Sequence, residues 1–127
     1  MKKMILAAAL TIAGAAGAYA DPVEGVWKTE EDAGAYAHVT MSKCGEQICG
    51  VISSAFDANG AVTSPNVGKK IVWDMNPEGS GSYKGGKIWQ PSTGKIFKSK
   101  MALSGNSLKV SGCVGPFCKK QTWSRVQ

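Results

Sequence analysis

Four cysteines are the residues of this chain best suited to chemistry, and they form two pairs with the spacing Cys-x4-Cys: Cys44 with Cys49, and Cys113 with Cys118. An even number of cysteines in a small exported chain is typical of disulfides. Zinc sites and redox-active thiol pairs usually have the shorter spacing Cys-x2-Cys. The pattern therefore predicts structural disulfides.

The pairing of the cysteines is open from sequence alone. Each pair flanks four residues between two segments of alternating polarity, so a hairpin would bring its two cysteines face to face. A bridge that closes six residues stabilises by about 2 kcal/mol, against about 4 for one that closes about seventy. Loop entropy thus favours long-range bridges, whereas hairpin geometry favours the two local pairs, which we expect.

Catalytic and metal chemistry has little support. His38 is the single histidine, and it falls on the polar face of an alternating segment with no motif for a nucleophile or an orienting acid. The acidic run Glu30-Glu31-Asp32 lacks the ligand spacing of a calcium loop. We expect a solvated histidine, a solvated acidic loop, no metal or cofactor, and no enzymatic activity.

The first residues have the three parts of a secretory signal peptide. Lys2 and Lys3 follow Met1, residues 4–20 carry no charge, and the run ends in the small-x-small site Ala18-Tyr19-Ala20. It is shorter and less apolar than a spanning helix, which needs about 20 apolar residues. We expect cleavage near Ala20, a periplasmic or secreted location in a bacterium, one domain over 21–127, and no stable membrane insertion.

Cleavage at that site would lower the formal net charge from +6 to +4. A mildly basic exported chain favours anionic partners such as phospholipid or polysaccharide. The lysines are scattered along the sequence, which argues against nucleic acid. A solvated face is the simpler interpretation of Lys69, Lys70, Lys98 and Lys100.

Short alternating segments joined by turn residues make up the rest of the chain. The clearest are Tyr36–Lys43, Lys69–Met75 and Lys95–Leu103, and Gly105-Asn106 is typical of a hairpin turn. About eight antiparallel strands follow, each with one apolar face. Closure into a small up-and-down β-barrel, expected as a monomer or weak dimer, would remove their exposed edges. A two-sheet sandwich is the alternative.

The apolar faces of such a barrel supply candidates for a ligand pocket. An eight-stranded barrel is either filled by its side chains or holds one small ligand. The candidate ligand-binding residues are Trp27, Ile71, Trp73, Phe97 and Met101. We expect a binding module for a small, largely apolar ligand; the alternative is an envelope interaction or stress protein with a filled core, acting through its surface.

Three residues resemble the closing motif of the calycins, the group that includes lipocalins, fatty-acid-binding proteins and avidins: Gly25, Trp27 and Arg125. In those folds the tryptophan closes one end of the barrel and the arginine packs across its ring. Longer blocks resemble the bacterial family called domain of unknown function 2147: CGEQICGVI (44–52), GKIWQPSTGK (86–95), and GC (112–113) with QTWSRV (121–126). The resemblance implies a small exported lipocalin-like barrel without an established activity.

Overall fold

The computed structural model describes residues 20–127, so the predicted signal peptide lies outside the described residues except for Ala20. Within them the chain forms nine strands: β1 Gly25–Lys28, β2 Tyr36–Cys44, β3 Gln47–Asp57, β4 Gly60–Val62, β5 Lys70–Gly79, β6 Ser82–Gln90, β7 Lys95–Ser104, β8 Ser107–Val114 and β9 Phe117–Arg125. Over the same range, no helix is long and apolar enough to cross a membrane.

The strands form one antiparallel sheet in the order β2-β1-β9-β8-β7-β6-β5-β3-β4, and β2 also pairs with β3. This second pairing closes eight strands into a ring, with the short β4 attached to the outer end of β3. The expected up-and-down barrel of about eight strands is therefore confirmed.

Alternation and turn chemistry explain most strands. Along β7, Ser99 and Met101 are buried whereas Lys98 and Lys100 are exposed, so one face packs inward and the other meets solvent. The turns on either side of β7 contain Gly94 (φ 77°) and Gly105 (φ 58°), whose backbone conformation suits a residue without Cβ.

Strand β5 departs from the predicted alternation, in which Ile71, Trp73 and Met75 share one face. Val72 and Met75 are fully buried, whereas Trp73 is half-buried. Asp74 between them has a φ of 58°. A left-handed residue resets which face the following side chains occupy, and β5 then continues to Gly79 instead of ending at Met75.

The barrel has two ends, which we name by the elements that meet there. At the closed end β1 begins and β9 finishes, beside residues 21–24. At the distal end β1 finishes and β2, β5, β7 and β9 begin, as the antiparallel registers require. These two ends differ in chemistry.

Candidate functional site

Trp27 and Arg125 lie together at the closed end. Trp27 is fully buried, and the guanidinium carbon of Arg125 lies 4.4 Å from its ring centroid. The indole nitrogen donates to the Val23 carbonyl (2.9 Å), and Arg125 donates to the carbonyl of Pro22 (2.7 Å). Gly25 is needed because a Cβ there would lie 2.5 Å from the Gln127 carbonyl oxygen. The Gly-x-Trp spacing thus lets the backbone of Gly25 pack against Gln127 while the indole of Trp27 lies inside the barrel.

Tyr83 closes the same end from β6. Its hydroxyl donates to the Asp21 carboxylate, which also accepts from the backbone N–H of Val23 (3.0 Å). Burial raises the pKa of the Tyr83 hydroxyl, and the hydrogen bond and negative charge of Asp21 raise this pKa further.

This environment predicts a loss of stability at alkaline pH. A group with a raised pKa in the folded state contributes fully below its unfolded pKa, about 10 for tyrosine, and loses that contribution as the pH rises toward the folded value. Above about pH 10 we expect the unfolding free energy of the wild type to fall more steeply than that of Tyr83→Phe, measured by urea titration. Parallel pH profiles would contradict this expectation, and Tyr36→Phe controls for the loss of a hydroxyl.

The loop between β1 and β2, residues 29–35, crosses the distal mouth of the barrel; we call it the strap. The Glu30 carboxylate accepts from the backbone N–H of Thr122 on β9. Asp32 accepts from Ser92 (2.6 Å) and from Gln90 (3.1 Å) beside the β6–β7 turn. That turn stands opposite β1 in the ring, so the strap spans the mouth.

The acidic run is therefore more than the solvated loop expected from the sequence, although its side chains are exposed. The hydrogen bond from Ser92, and next that from Gln90, lower the pKa of Asp32, with a further contribution from the positive charge of Lys119. Two of the three carboxylates thus fasten the strap to the barrel.

The candidate pocket residues are dispersed through the core. Trp27, Ile71 and Met101 are buried, and Phe97 packs against them while half-buried; Trp73 lies outside this cluster. The interior is occupied by large, fully buried side chains, among them Trp27, Trp123, Met41, Ile48, Met75 and Leu108. A barrel of eight strands either is filled by its own side chains or holds one small ligand, and an interior occupied by large side chains corresponds to the first case.

A row of small residues crosses the inner face: Gly86 on β6, Ser99 on β7 and Gly112 on β8 are direct neighbours. Met75 occupies the space at Gly86, where a Cβ would lie 2.6 Å from its sulfur. The Ser99 hydroxyl is buried and has no hydrogen-bond partner within residues 20–127. Ser99 is not among the site residues predicted from sequence, although its position between Phe97 and Met101 on an apolar face is a signal.

The other sequence candidates have simple surroundings. The His38 ring lies 4.5 Å from the ring of Phe56 and 6.5 Å from that of Tyr36, between centroids. The cysteines pair locally in two disulfides, Cys44–Cys49 and Cys113–Cys118, as hairpin geometry favours. Within residues 20–127 no group of three His, Cys, Asp or Glu side chains has an arrangement that could hold a metal ion.

One side of the barrel is strongly positive. All nine Asp and Glu residues precede residue 79, whereas residues 79–127 contain eight lysines and one arginine. These later residues form β6 to β9, which are consecutive in the ring. Lysines that are scattered along the sequence are therefore gathered by the fold. The basic wall, as we call it, consists of the exposed residues Lys84, Lys87, Lys98, Lys100, Lys109 and Lys120.

Two open grooves lie along the basic wall. The first, of about 400 Å³, lies over Gly85 and Gly86 and reaches Cys113; the second is about 250 Å³. All six lysines line one groove or the other, and of the candidate pocket residues only Met101 lines either. Lys87 and Lys98 stand directly opposite each other on paired strands. Like charges in that position repel, and a bound anion would relieve the repulsion.

The β8–β9 hairpin carries an apolar tip at the distal end. The Cys113–Cys118 disulfide clamps it, and Val114 and Phe117 form the pair next to the turn. Their side chains are 66% and 79% exposed. Ile96, two residues before the partner of Cys113 on β7, is 56% exposed.

Comparison with known proteins identifies the family. Residues 25–125 match the model described as an uncharacterized protein conserved in bacteria, DUF2147. Among solved structures the chain is similar to protein HP1028 from the human pathogen Helicobacter pylori, described as belonging to the lipocalin family, with a TM-score of 0.66, 21% identity and 83% of each chain covered. That structural similarity shows the fold. A search of curated proteins found no match to this chain. The chain therefore belongs to the bacterial DUF2147 family, and its closed barrel is lipocalin-like.

Proposed function

We propose that this protein is an exported binding module of the bacterial envelope that takes an anionic partner on its basic wall. The observation that carries the proposal is the segregation of charge: six lysines line two adjoining grooves, and residues 79–127 contain no Asp or Glu. A concave surface of one sign concentrates ligands of the opposite sign. The chemistry of the partner is a repeated phosphate, sulfate or carboxylate.

The packing of the interior supports a role for the surface. Trp27 and Arg125 close one end, and the strap crosses the other. Between them the core positions are filled by fully buried side chains. The filled-core alternative from the sequence analysis thus has more support than an apolar pocket.

Two observations support export to the envelope. The leading residues have the pattern of a signal peptide, and all four cysteines are in disulfides, which persist in oxidising compartments.

We propose no catalytic activity, since His38 lies beside aromatic rings and the function needs only binding.

The test uses the mature protein, residues 21–127, and dextran sulfate as the anionic probe, with uncharged dextran as the control. A variant with Lys84, Lys87, Lys98 and Lys100 all changed to Gln should bind dextran sulfate at least about tenfold more weakly, since each lysine near an anionic surface contributes about 1 kcal/mol. Binding of the wild type should also weaken as salt is raised. Fluorescence anisotropy with a labelled probe measures both effects.

The chain offers a control of equal charge. Residues 21–78 contain four lysines, Lys28, Lys43, Lys69 and Lys70. Changing these four to Gln lowers the net charge by the same amount at positions that line neither groove, and should reduce binding by less than about threefold. Equal losses in the two variants would show that net charge alone acts, and would overturn the proposal.

A second candidate function is a small ligand inside the barrel, favoured by the buried Ser99 hydroxyl that lacks a partner. Methionine side chains are flexible, so Met75 and Met101 are the core side chains that could most easily change conformation to make space for such a ligand. Native mass spectrometry of gently purified protein should then show an extra mass that is lost on denaturation and is reduced in Ser99→Ala. An apo mass together with dextran sulfate binding favours the basic wall.

A further inference from the structure

We infer that the distal hairpin docks this protein on the surface of an anionic phospholipid bilayer, with Val114 and Phe117 entering the interface and the basic wall facing the headgroups. The inference rests on the proposed function, because it names the anionic partner of the basic wall. It describes peripheral docking, in which the barrel stays outside the bilayer.

If the partner of the basic wall were only an anionic polymer, the exposed apolar tip formed by Val114 and Phe117 would have no role in binding. Phe117 is 79% exposed and Val114 66% exposed, although a barrel of this size has core positions for such side chains. Among the six large apolar side chains that are exposed in the described residues, three lie together at the distal end of the neighbouring strands β7 to β9: Ile96, Val114 and Phe117. Apolar side chains gathered at one end mark a contact surface.

The hairpin presents these side chains in a form suited to insertion. The Cys113–Cys118 disulfide and the turn at Gly115-Pro116 hold the tip in one conformation, so little entropy is lost on docking. Aromatic rings favour the boundary between headgroups and acyl chains, and lysines reach from there to the phosphates. Lys119 and Lys120 follow the tip directly.

Membrane attachment by this hairpin combines two weak signals, as stable peripheral binding requires. The apolar tip supplies a small insertion, and the basic wall supplies attraction to anionic headgroups. The carboxylates of the strap lie at the same end, but Glu30 and Asp32 accept hydrogen bonds from the barrel, and Lys119 lies near Asp32. We therefore expect a tilted approach, with the wall of β6 to β8 toward the bilayer.

The experiment measures binding of the mature protein to vesicles of phosphatidylglycerol and phosphatidylethanolamine, and to phosphatidylcholine vesicles, at about 0.1 M salt. The double variant Val114→Ser/Phe117→Ser should bind the anionic vesicles at least about tenfold more weakly than the wild type. Its dextran sulfate binding should be unchanged, because the lysines remain. Val126→Ser, at a side chain 45% exposed at the closed end, is the matched control and should bind as the wild type does.

A second readout reports insertion directly. The tryptophan fluorescence added by Phe117→Trp should be quenched by brominated lipid in anionic vesicles. Vesicle binding that survives the double serine variant, or the absence of quenching, would overturn the inference. Dextran sulfate binding without vesicle binding would also overturn it while leaving the proposed function standing, and would point to a polysaccharide or a protein. Loss of dextran sulfate binding in both lysine variants alike would overturn the proposed function itself.

Discussion

Trp27→Ala should lower the free energy of unfolding by about 3–5 kcal/mol, which is a large part of the total for a domain of this size. The indole is fully buried, so its removal leaves a cavity at the closed end. The substitution also removes the ring under Arg125 and the donor to the Val23 carbonyl. Urea unfolding of the mature protein, followed by far-ultraviolet circular dichroism, measures the change.

Trp73→Ala is the matched control, because it deletes the same side chain from a half-buried position outside the core cluster. We expect it to lower the unfolding free energy by only about 1 kcal/mol. Equal losses would mean that Trp27 has no special role in closing the barrel.

Gly86→Ala should destabilise the protein by about 1–3 kcal/mol, although it adds a single methyl group. The new Cβ would lie 2.6 Å from the Met75 sulfur and 2.6 Å from the backbone carbonyl oxygen of Trp73. The sulfur can move, but the carbonyl belongs to the paired strand β5, so β5 and β6 would have to separate. Thermal and urea unfolding both report the loss.

Gly112→Ala should have the opposite sign. Gly112 lies on the next strand but one, and a Cβ there would approach Ile88 and Phe97 no closer than 3.6 Å, which is ordinary contact. Replacing glycine where the backbone permits it stabilises by about 0.4–1 kcal/mol. If Gly86→Ala were tolerated as well as Gly112→Ala, the interior would hold free space near Ser99, and the small-ligand function would gain support over the basic wall.

Much of the fold was predictable because the signals for it are local. Alternation from Phe97 to Met101 places Lys98 and Lys100 outside and Met101 inside whatever the neighbouring strands are. The local pairing of the cysteines is likewise a property of each hairpin. At Asp74 this logic fails, since a left-handed residue interrupts the alternation: Met75 is buried as predicted, but Val72 is buried in place of Trp73, which is half-buried.

The candidate site was predictable only in part. Interior aromatics such as Phe97 are predictable because they fall on apolar faces, but the volume left between them depends on residues from every strand. Gly86 is an example, because the space that it leaves is taken by Met75 from β5. The strap was missed for the same reason: Asp32 meets Ser92 across the whole barrel, 60 residues along the chain.

By itself the sequence determined most of the strands, their turns and, apart from β5, their inward faces, because each depends on residues within a few positions of one another. Only the tertiary structure decided which strands are neighbours, and hence that six separate lysines form one wall on consecutive strands whose own sequences contain no Asp or Glu. It also decided which large side chains from different strands meet in the core and that Phe117 stays exposed. Ring closure sets these properties, because it brings distant segments into contact and fixes the volume that they share.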